Sequence, residues 1–377
     1  MTLVLTDDQQ MLGDAIDAFL RDYYSLEQRL KSRDSAAGWR PEIWQALASQ
    51  LGILGVGLPE ELGGTGGDGM DQFAVMRSLG RALVIEPYLE TVILAGGLLV
   101  RSGTPYARDV VTRIASGDAV IACAIDAPGA RTPGLSEAVI IAENGAYMLH
   151  GNKAVVMGAP WADLFLVSAR LGGADGEAAV VAIPANADGI RRRDYRTLDG
   201  RRASELAFDA AIVAEEALLY RGAAAELATE QAIDQAIAAI CAEAVGIMER
   251  LVGETIDYLK QRRQFGAALA TFQALQHRVA DMHCAAEMAT AIAMRASASL
   301  DAAPNSRKAM VSAAKAQVAK ACRMVGQSAV QLHGGMGMTD ELSIGHLFKR
   351  TTVIERQFGD ASDHLIRFAN IDDHGLI

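Results

Sequence analysis

The 377-residue sequence has few cysteines, few aromatic residues and no long uncharged apolar run. Its cysteines lie far apart and include no Cys-x-x-Cys pair, so neither a zinc site nor a disulfide framework is predicted. They are Cys123, Cys241, Cys284 and Cys322. The longest uncharged apolar run, near Val92 to Val100, is too short to span a bilayer, and the N-terminus shows no basic and apolar signal segment. We therefore expect no membrane insertion and a cytoplasmic location.

Basic charge is also scarce. Lysine and arginine together number 35, against 46 aspartates and glutamates, which gives a net charge of −11. A protein that binds nucleic acid needs a basic face for the phosphates, so we expect no nucleic-acid partner. The length, in contrast, is more than enough for a large core and for two or three domains.

Hydrophobic periodicity changes twice along the chain. From Asp7 to about Gly103 the apolar residues recur at helical spacing, except in the glycine-rich stretch Gly55 to Gly69. Short β-type runs follow between about Ala119 and Ala214, and the helical period returns after Arg221. The predicted division is an N-terminal helical domain at 1–117, a middle β domain at 118–220 and a C-terminal helical bundle at 221–377.

Two dipeptides predict turns in the middle domain. Asn144-Gly145 lies between two β-type runs and is a hairpin signal, because a type I′ turn requires positive φ at both central residues. Asp199-Gly200 marks a second candidate turn. The middle domain is therefore predicted to be a small antiparallel barrel or sandwich.

Two long apolar stripes run through the C-terminal part, from Phe272 to Ala293 and from Val311 to Leu332. Their alanines allow helices to approach closely, which predicts a four-helix bundle. The stripes present more apolar surface than one bundle covers, so an obligatory dimer of dimers is also predicted. The predicted helices lie near 225–262, 272–302, 306–332 and 340–356.

One glycine motif does not indicate a dinucleotide-binding site. Gly64 to Gly69 satisfies G-x-G-x-x-G, but the preceding segment is a turn, and a dinucleotide fingerprint requires a strand before it and a helix after it. We predict a loop here, and no Rossmann fold.

A stronger signal is an ordered series of residues suited to a flavin. Arg262, at a predicted helix end, offers a rigid fork for a diphosphate, Phe265 offers a ring cover, and Gln273 suits a ribityl or pyrimidine edge. Gly334 and Gly335 follow a predicted helix and allow a ligand to approach the backbone closely. Taken singly, each of these residues is better explained as a helix-dipole partner or a cap. The spacing of the whole series favours a ligand site.

The residues of this series belong to three motifs that resemble those of a known protein family. Arg-x-Gln-Phe-Gly (262–266), Phe-Gln-Ala-x-Gln-His (272–277) and Gln-x-x-Gly-Gly-x-Gly-x-Thr-x-Glu (331–341) resemble the C-terminal domain of acyl-CoA dehydrogenases. Pro59 to Gly64 is similar to a turn of the same family, and further matches follow in family order along nearly the whole chain. The resemblance implies a mainly α fold with an N-terminal helical domain, a small β-barrel and a C-terminal four-helix bundle.

The resemblance also implies a cofactor and a reaction. FAD would be held through Arg262, Phe265, Gln273, and the segment from Gln331 through Gly334 to Gly335. The reaction would be α,β-desaturation of an acyl-CoA thioester, in which a base removes the α proton and electrons pass to an electron-transferring flavoprotein.

At the positions of the family's base, this chain has no carboxylate. Phe358 occupies the usual place of the catalytic glutamate, and Ala236 stands at the alternative place used by some members. Ile237 replaces a pantetheine-contacting arginine, although the neighbouring Asp234 is retained as a candidate substrate contact. The usual flavin-ring segments are also changed, to Ile125-Asp126-Ala127 and Val155-Val156-Met157.

This combination resembles the base-lacking subunit of two-component, heterotetrameric acyl-CoA dehydrogenases, known among degraders of steroid side chains and other bulky acyl groups. The retained elements hold a neighbouring subunit's FAD in that family, so the implied assembly is a homotetramer or a heterotetramer. Two alternatives stay open. One is a non-catalytic subunit that completes a partner's FAD site, and the other is an acyl-CoA oxidase or flavin monooxygenase on the same fold.

Glu243 is a candidate for a substitute base. It lies seven residues after Ala236, on nearly the same face of the predicted helix. The competing interpretation, which we rank higher, is an ion pair with an arginine such as Arg81 that ties two helices together. Glu355 and Asp360, which flank Phe358, are weaker candidates.

Overall fold

The structure, a computed structural model, describes residues 4–125, 138–143 and 146–371. These residues divide into two compact units. The described parts of Met1–Lys31, Asp68–Val84 and Ile237–Ile377 form the first unit, and Ser32–Gly67 with Ile85–Ala236 form the second. The three-domain division at 1–117, 118–220 and 221–377 remains a proposal.

Helices predominate at both ends of the described chain, and strands lie in the middle. In chain order the α-helices are α1 (Asp7–Tyr23), α2 (Leu26–Asp34), α3 (Pro41–Ser49), α4 (Gly69–Ala82), α5 (Gly96–Ser102), α6 (Pro105–Ala115), α7 (Gly222–Gln261), α8 (Gln273–Ala298), α9 (Pro304–His333), α10 (Ser343–Arg356) and α11 (Ala361–Ala369). The strands are β1 (Ile121–Ala124), β2 (Ala138–Glu143), β3 (Ala146–Met157), β4 (Leu164–Leu171), β5 (Glu177–Pro184), β6 (Ile190–Arg196), β7 (Arg202–Val213), β8 (Leu218–Arg221), β9 (Arg263–Gln264) and β10 (Ala267–Ala268).

In the first unit, α4 and α7 cross at two glycines. A Cβ atom on Gly80 would lie 2.2 Å from the carbonyl oxygen of Glu243, and one on Gly246 would lie 1.9 Å from that of Arg77. Only a residue without a side chain allows the two backbones to come this close. The crossing fixes the part of α7 that carries Glu243.

The centre of the first unit is α9, which packs against α8, α10 and α11. The four predicted C-terminal helices are present, and α11 is an additional short helix with a capping box at Asp360. The last predicted helix starts later than expected, at Ser343, and a 3₁₀ turn at Gly334–Met338 precedes it. A nine-residue helix is difficult to recognise from periodicity alone.

In the second unit, the strands form one eight-stranded sheet in the order β6-β7-β3-β2-β4-β5-β8, with β1 paired to β4. The expectation of an antiparallel middle domain is confirmed for five of the seven strand pairs in this sheet and corrected for two, because β1 and β2 both run parallel to β4. The Asn144-Gly145 turn lies outside the described residues, although β2 and β3 on either side pair antiparallel. The turn at Gly200 is confirmed between β6 and β7, with φ +85°.

Two further features of the second unit bear on the sequence predictions. Gly64 to Asp68 is a loop with no strand before it, as predicted for the glycine motif, but Gly69, the last residue of the motif, begins α4. Leu89–Ala95 is a π-helix whose seven residues are all buried. Its Thr91 hydroxyl donates to the carbonyl of Ile121 at 2.9 Å and accepts from the amide of Ile121 at 3.1 Å, which ties the π-helix to β1.

Across the described ranges, no helix is long and apolar enough to cross a membrane. The same ranges contain no group of three or more histidine, cysteine, aspartate or glutamate residues arranged to hold a metal ion.

Candidate functional site

The predicted cofactor residues begin where α7 ends. The amide of Arg262 still donates to the carbonyl of Tyr258, at 2.8 Å, and the chain then turns back through the short antiparallel pair β9 and β10. Phe265 and Gly266 form the two-residue turn, with φ +54° and +78°. A hairpin turn with two positive φ angles matches the twist of its strands, but the left-handed region is costly for phenylalanine. We call Arg262–Ala268 the outer hairpin.

The outer hairpin and the start of α8 carry three predicted residues, all of which are exposed. The Phe265 side chain is 89% exposed, and its ring meets the ring of Phe272 edge-on, with centroids 6.2 Å apart. Gln273 follows Phe272 at the start of α8 and is exposed. Arg262 is exposed too, and it forms no ion pair within the part of the chain that the structure describes. The guanidinium therefore remains open to an external anion.

A contact between α7 and α9 joins the outer hairpin to the predicted glycine segment. The Tyr258 hydroxyl donates to the carbonyl of His333 at 3.3 Å, and the two rings stack with centroids 4.3 Å apart. Tyr258 precedes Arg262 by one helical turn, and His333 directly precedes Gly334. The sequence predictions missed Tyr258, although its i, i+4 spacing from Arg262 was a usable signal.

The glycine segment is open to close approach. Gly334 has φ +58°, and a Cβ atom on either Gly334 or Gly335 would meet no atom within 4 Å. Gln331 is exposed one turn earlier, and Met338 is 76% exposed. An exposed guanidinium, an outward aromatic ring and uncovered backbone are what a nucleotide diphosphate requires, so these residues fit the adenosine-diphosphate half of FAD.

The segment expected at the flavin ring offers fewer groups that could bind a flavin. Val155 lies at a bulge of β3, with φ +55° and 60% exposure, and Val156 is buried. None of the side chains from Val155 to Met157 carries a hydrogen-bonding oxygen. Of the second expected ring segment, Ile125 is described, whereas Asp126 and Ala127 lie outside the described residues.

Neither expected base position offers a proton acceptor. Phe358 is half-buried with φ +62°, and Ala236 is fully buried in α7. The candidate substrate contact Asp234 is also fully buried in α7.

The carboxylate of Glu243 is already engaged. Its Oε1 and Oε2 accept from Nε and Nη2 of Arg350, each at 2.7 Å, and both side chains are at most 2% exposed. An ion pair between helices was the expected alternative, but its partner is Arg350 and not Arg81. Arg81 instead pairs with Asp17 and Glu249. A buried carboxylate with both oxygens on one guanidinium is poorly suited to take a proton from a substrate.

The two weaker base candidates have structural contacts as well. Glu355 forms an ion pair with Arg323. Asp360 caps α11, where its side chain accepts from the amides of Ser362 and Asp363. The Asp363 and Ser362 amides hold the pKa of Asp360 below its usual value, against the effect of partial burial. Both side chains are thus held by neighbours in the chain itself.

Comparison with known proteins agrees with this arrangement. Family models described as the N-terminal, middle and C-terminal domains of acyl-CoA dehydrogenase match residues 6–118, 126–211 and 219–361. The chain is 26% identical to acyl-CoA dehydrogenase IpdE2 of Mycolicibacterium smegmatis, over 96% of this chain and 98% of that protein. It is 28% identical to acyl-CoA dehydrogenase FadE27 of Mycobacterium tuberculosis, over 97% of each.

A similar solved structure belongs to the ChsE4-ChsE5 complex of Mycobacterium tuberculosis, with a TM-score of 0.89, 26% identity and coverage of 98% of both chains. Because the three domain models match in order along most of the sequence, the predicted fold class, enzyme class and FAD cofactor are confirmed at the level of the family, and the chain belongs to the acyl-CoA dehydrogenase family.

Proposed function

We propose that this protein is a subunit of a multi-subunit acyl-CoA dehydrogenase that binds FAD through its outer hairpin and takes its catalytic base from another subunit. The observation that carries the proposal is a contrast within one chain. The residues suited to the nucleotide half of FAD are exposed, whereas every candidate base is either absent or held by the chain itself.

In the proposed reaction the acyl-CoA loses its α proton to a carboxylate and its β hydride to FAD, which supplies the hydride acceptor. Arg262 would hold the diphosphate, Phe265 would cover part of the cofactor, and Gln273 and Gln331 would accept or donate hydrogen bonds. Gly334 and Gly335 would leave room for close approach. Asp234 remains a proposed substrate contact. An electron-transferring flavoprotein is the proposed acceptor, and the cytoplasm the proposed location.

Assembly with other subunits is supported by an uncovered apolar groove in the first unit. The groove has a volume of about 560 Å³ and is formed by α8, α9 and α11. Met288 is 60% exposed, Leu365 48% and Phe368 40% along its walls. Exposed side chains of this size favour association with another subunit, and the proposed assembly is a homotetramer or a heterotetramer. A chain of the ChsE4-ChsE5 complex resembles this one, which supports the heteromeric form.

The test is an assay of the purified protein alone and after mixing with a base-bearing acyl-CoA dehydrogenase subunit. We expect slow dye reduction with an acyl-CoA for the homomer, since a general base typically contributes about 10²- to 10⁴-fold. Mixing should restore turnover. The Arg262→Ala variant should fail to restore it, whereas Arg263→Ala, which changes the neighbouring exposed arginine, should succeed. Ordinary turnover by the homomer would overturn the proposal.

A second candidate function is a non-catalytic subunit that only completes a partner's FAD site. The oxygen-free side chains from Val155 to Met157 favour it, because they offer nothing to hydrogen-bond a flavin ring. A flavin count separates the two candidates. FAD bound by the chain purified alone supports the catalytic subunit, and FAD bound only after mixing with a partner supports the non-catalytic one.

A further inference from the structure

The segment Glu355–Asp360, which contains Phe358, is held by three buried groups from the first unit. We call it the base-position segment. The Lys315 ammonium, on α9, donates to the carbonyl of Glu355 at 3.1 Å and to that of Gly359 at 2.7 Å. Lys315 is fully buried, so these two carbonyls replace water around its ammonium. The two contacts lie on either side of Phe358.

His364, on α11, contacts the backbone carbonyl of Phe358, which lies between the two carbonyls bound by Lys315. Its Nε2 lies 2.9 Å from the carbonyl oxygen of Phe358, and because only a protonated nitrogen can donate to a carbonyl, Nε2 carries the proton. The other ring nitrogen is buried and meets no hydrogen-bond partner among the residues that the structure describes. A neutral ring that donates one hydrogen bond accounts for both observations.

Arg350, on α10, makes the third contact with the base-position segment. While its Nε and Nη2 pair with Glu243, its Nη1 donates to the Gln357 side chain at 3.4 Å. The buried ion pair is therefore part of the same support, and it anchors the residue just before Phe358 to α7.

The backbone that these groups hold is strained. Phe358 has φ +62°, in the left-handed region that costs a residue with a side chain about 1 kcal/mol or more. Gly359 follows with φ +101°, and a Cβ atom there would lie 3.3 Å from Nε2 of His364. A strained conformation persists only where its surroundings determine it, and here three side chains do so.

Lys315 makes few other interactions with the residues around it. The thiols of Cys241 and Cys322 interact with it electrostatically, but burial raises the pKa of both thiols to about 12, so they are neutral neighbours. Desolvation lowers the pKa of Lys315 itself, which shows that burying this amine is costly. Within the described part of the chain, the hydrogen bonds of its ammonium go to the base-position segment alone.

We propose that Lys315, assisted by His364, is a positioning residue that fixes the backbone around position 358 and so holds whatever side chain stands there in one direction. In this chain that side chain is Phe358. The meaning of position 358 for catalysis rests on the function proposed above, but the positioning itself does not.

The first test measures the positioning without any substrate. Amide hydrogen exchange, followed by mass spectrometry, reports on Gln357, Gly359 and Asp360, whose amides donate to Val353, Arg356 and the Asp363 carboxylate. Lys315→Met should speed their exchange about 10- to 100-fold, because it leaves two buried carbonyls without a partner. Lys320→Met, at an exposed position of the same helix, should leave it unchanged.

A second control separates positioning from general loss of stability. Val318→Ala removes buried volume from α9 near Lys315 in sequence, and it should lower stability without speeding exchange at residues 357–360 selectively. Equal exchange in Lys315→Met and the parent protein would overturn the proposal. So would an equal acceleration in Val318→Ala.

The second test connects the positioning to the reaction. Phe358→Glu places a carboxylate on the base-position segment. The FAD-loaded variant should then lose its flavin absorbance when an acyl-CoA is added. The acyl-CoA used is butyryl-CoA or octanoyl-CoA, whichever binds more tightly. Adding Lys315→Met should slow this loss about tenfold while leaving the acyl-CoA dissociation constant unchanged. If exchange responds as predicted but Phe358→Glu produces no bleaching, the positioning stands and the proposed catalytic meaning of position 358 fails.

Discussion

Two phenylalanines of the first unit, Phe265 and Phe358, share a left-handed backbone conformation but differ in their surroundings. Phe265 and Phe358 have φ +54° and +62°. Phe265 lies on the outer hairpin with its ring 89% exposed, and Phe358 lies half-buried in the base-position segment, where its carbonyl accepts from His364. The strain at Phe358 is explained by contacts within the chain. The positive φ of Phe265 follows from the turn of the outer hairpin, but that turn does not require an aromatic ring that is mostly exposed, so we infer that the ring serves a ligand or partner outside the chain.

The arginines of the same two regions differ in the same way. Arg350 is 1% exposed and gives two hydrogen bonds to Glu243, whereas Arg262 is exposed next to Phe265. A buried guanidinium must have its partner within the fold, because an unpaired buried charge is very costly. An exposed one is available to a ligand. The comparison therefore divides the first unit into a part that stabilises the fold and a part that we propose as a binding surface.

The largest effect should come from breaking the buried ion pair. Arg350→Met leaves the Glu243 carboxylate buried without its partner, and we expect the free energy of unfolding to fall by about 3–5 kcal/mol in denaturant titrations. The double variant Glu243→Gln/Arg350→Met should recover part of this loss. As a control, Lys349→Met, on the same helix as Arg350, removes an exposed ion pair with Asp340 and should change stability by less than about 0.5 kcal/mol. A loss equal to that of the control would contradict the assigned role.

The next largest effect should appear on acidification. Burial lowers the pKa of His364 from 6.5 to about 4, assisted by Lys315 and Arg367, while the Phe358 carbonyl and Asp363 act in the opposite direction. The unfolded chain therefore takes up this proton first. The contribution of neutral His364 is complete above pH 6.5 and is lost as the pH falls towards 4, by about 3 kcal/mol in all.

The His364→Gln variant isolates that contribution, since a glutamine does not titrate. Denaturant titrations of both proteins between pH 7 and pH 4 should diverge, with the smaller pH dependence in the variant. Parallel curves would show that His364 does not stay neutral in the folded protein.

The smallest effect should come from relieving the strain in the outer hairpin. Phe265→Gly removes the side chain from a left-handed position and should raise the free energy of unfolding by at most about 1 kcal/mol, because glycine also loses more entropy on folding. Phe265→Ala keeps the Cβ atom and should give no such gain. Both variants should bind FAD more weakly. A clear loss of stability in Phe265→Gly would mean that the ring stabilises the fold.

Some of these features were predictable from the sequence and others were not. The C-terminal helices follow from the spacing of apolar residues, and the cofactor candidates of the outer hairpin and glycine segment follow from short motifs whose residues are adjacent in sequence. The hairpin itself was not predicted. The Glu243–Arg350 pair joins residues 107 positions apart, and nothing local distinguishes Arg350 from Arg81. The parallel pairing of β1 and β2 with β4 was missed for the same reason, because local patterns do not reveal which strands become neighbours.

The most direct test of the account compares two adjacent exposed arginines of the outer hairpin. Arg262→Ala should weaken FAD binding about 10- to 100-fold in the assembled protein, as expected for the loss of charge-assisted hydrogen bonds, while its free energy of unfolding without FAD stays unchanged. Arg263→Ala should leave both quantities as they are. If the two variants retain equal flavin, or if Arg262→Ala unfolds more easily without FAD, then the outer hairpin is not the binding surface described above.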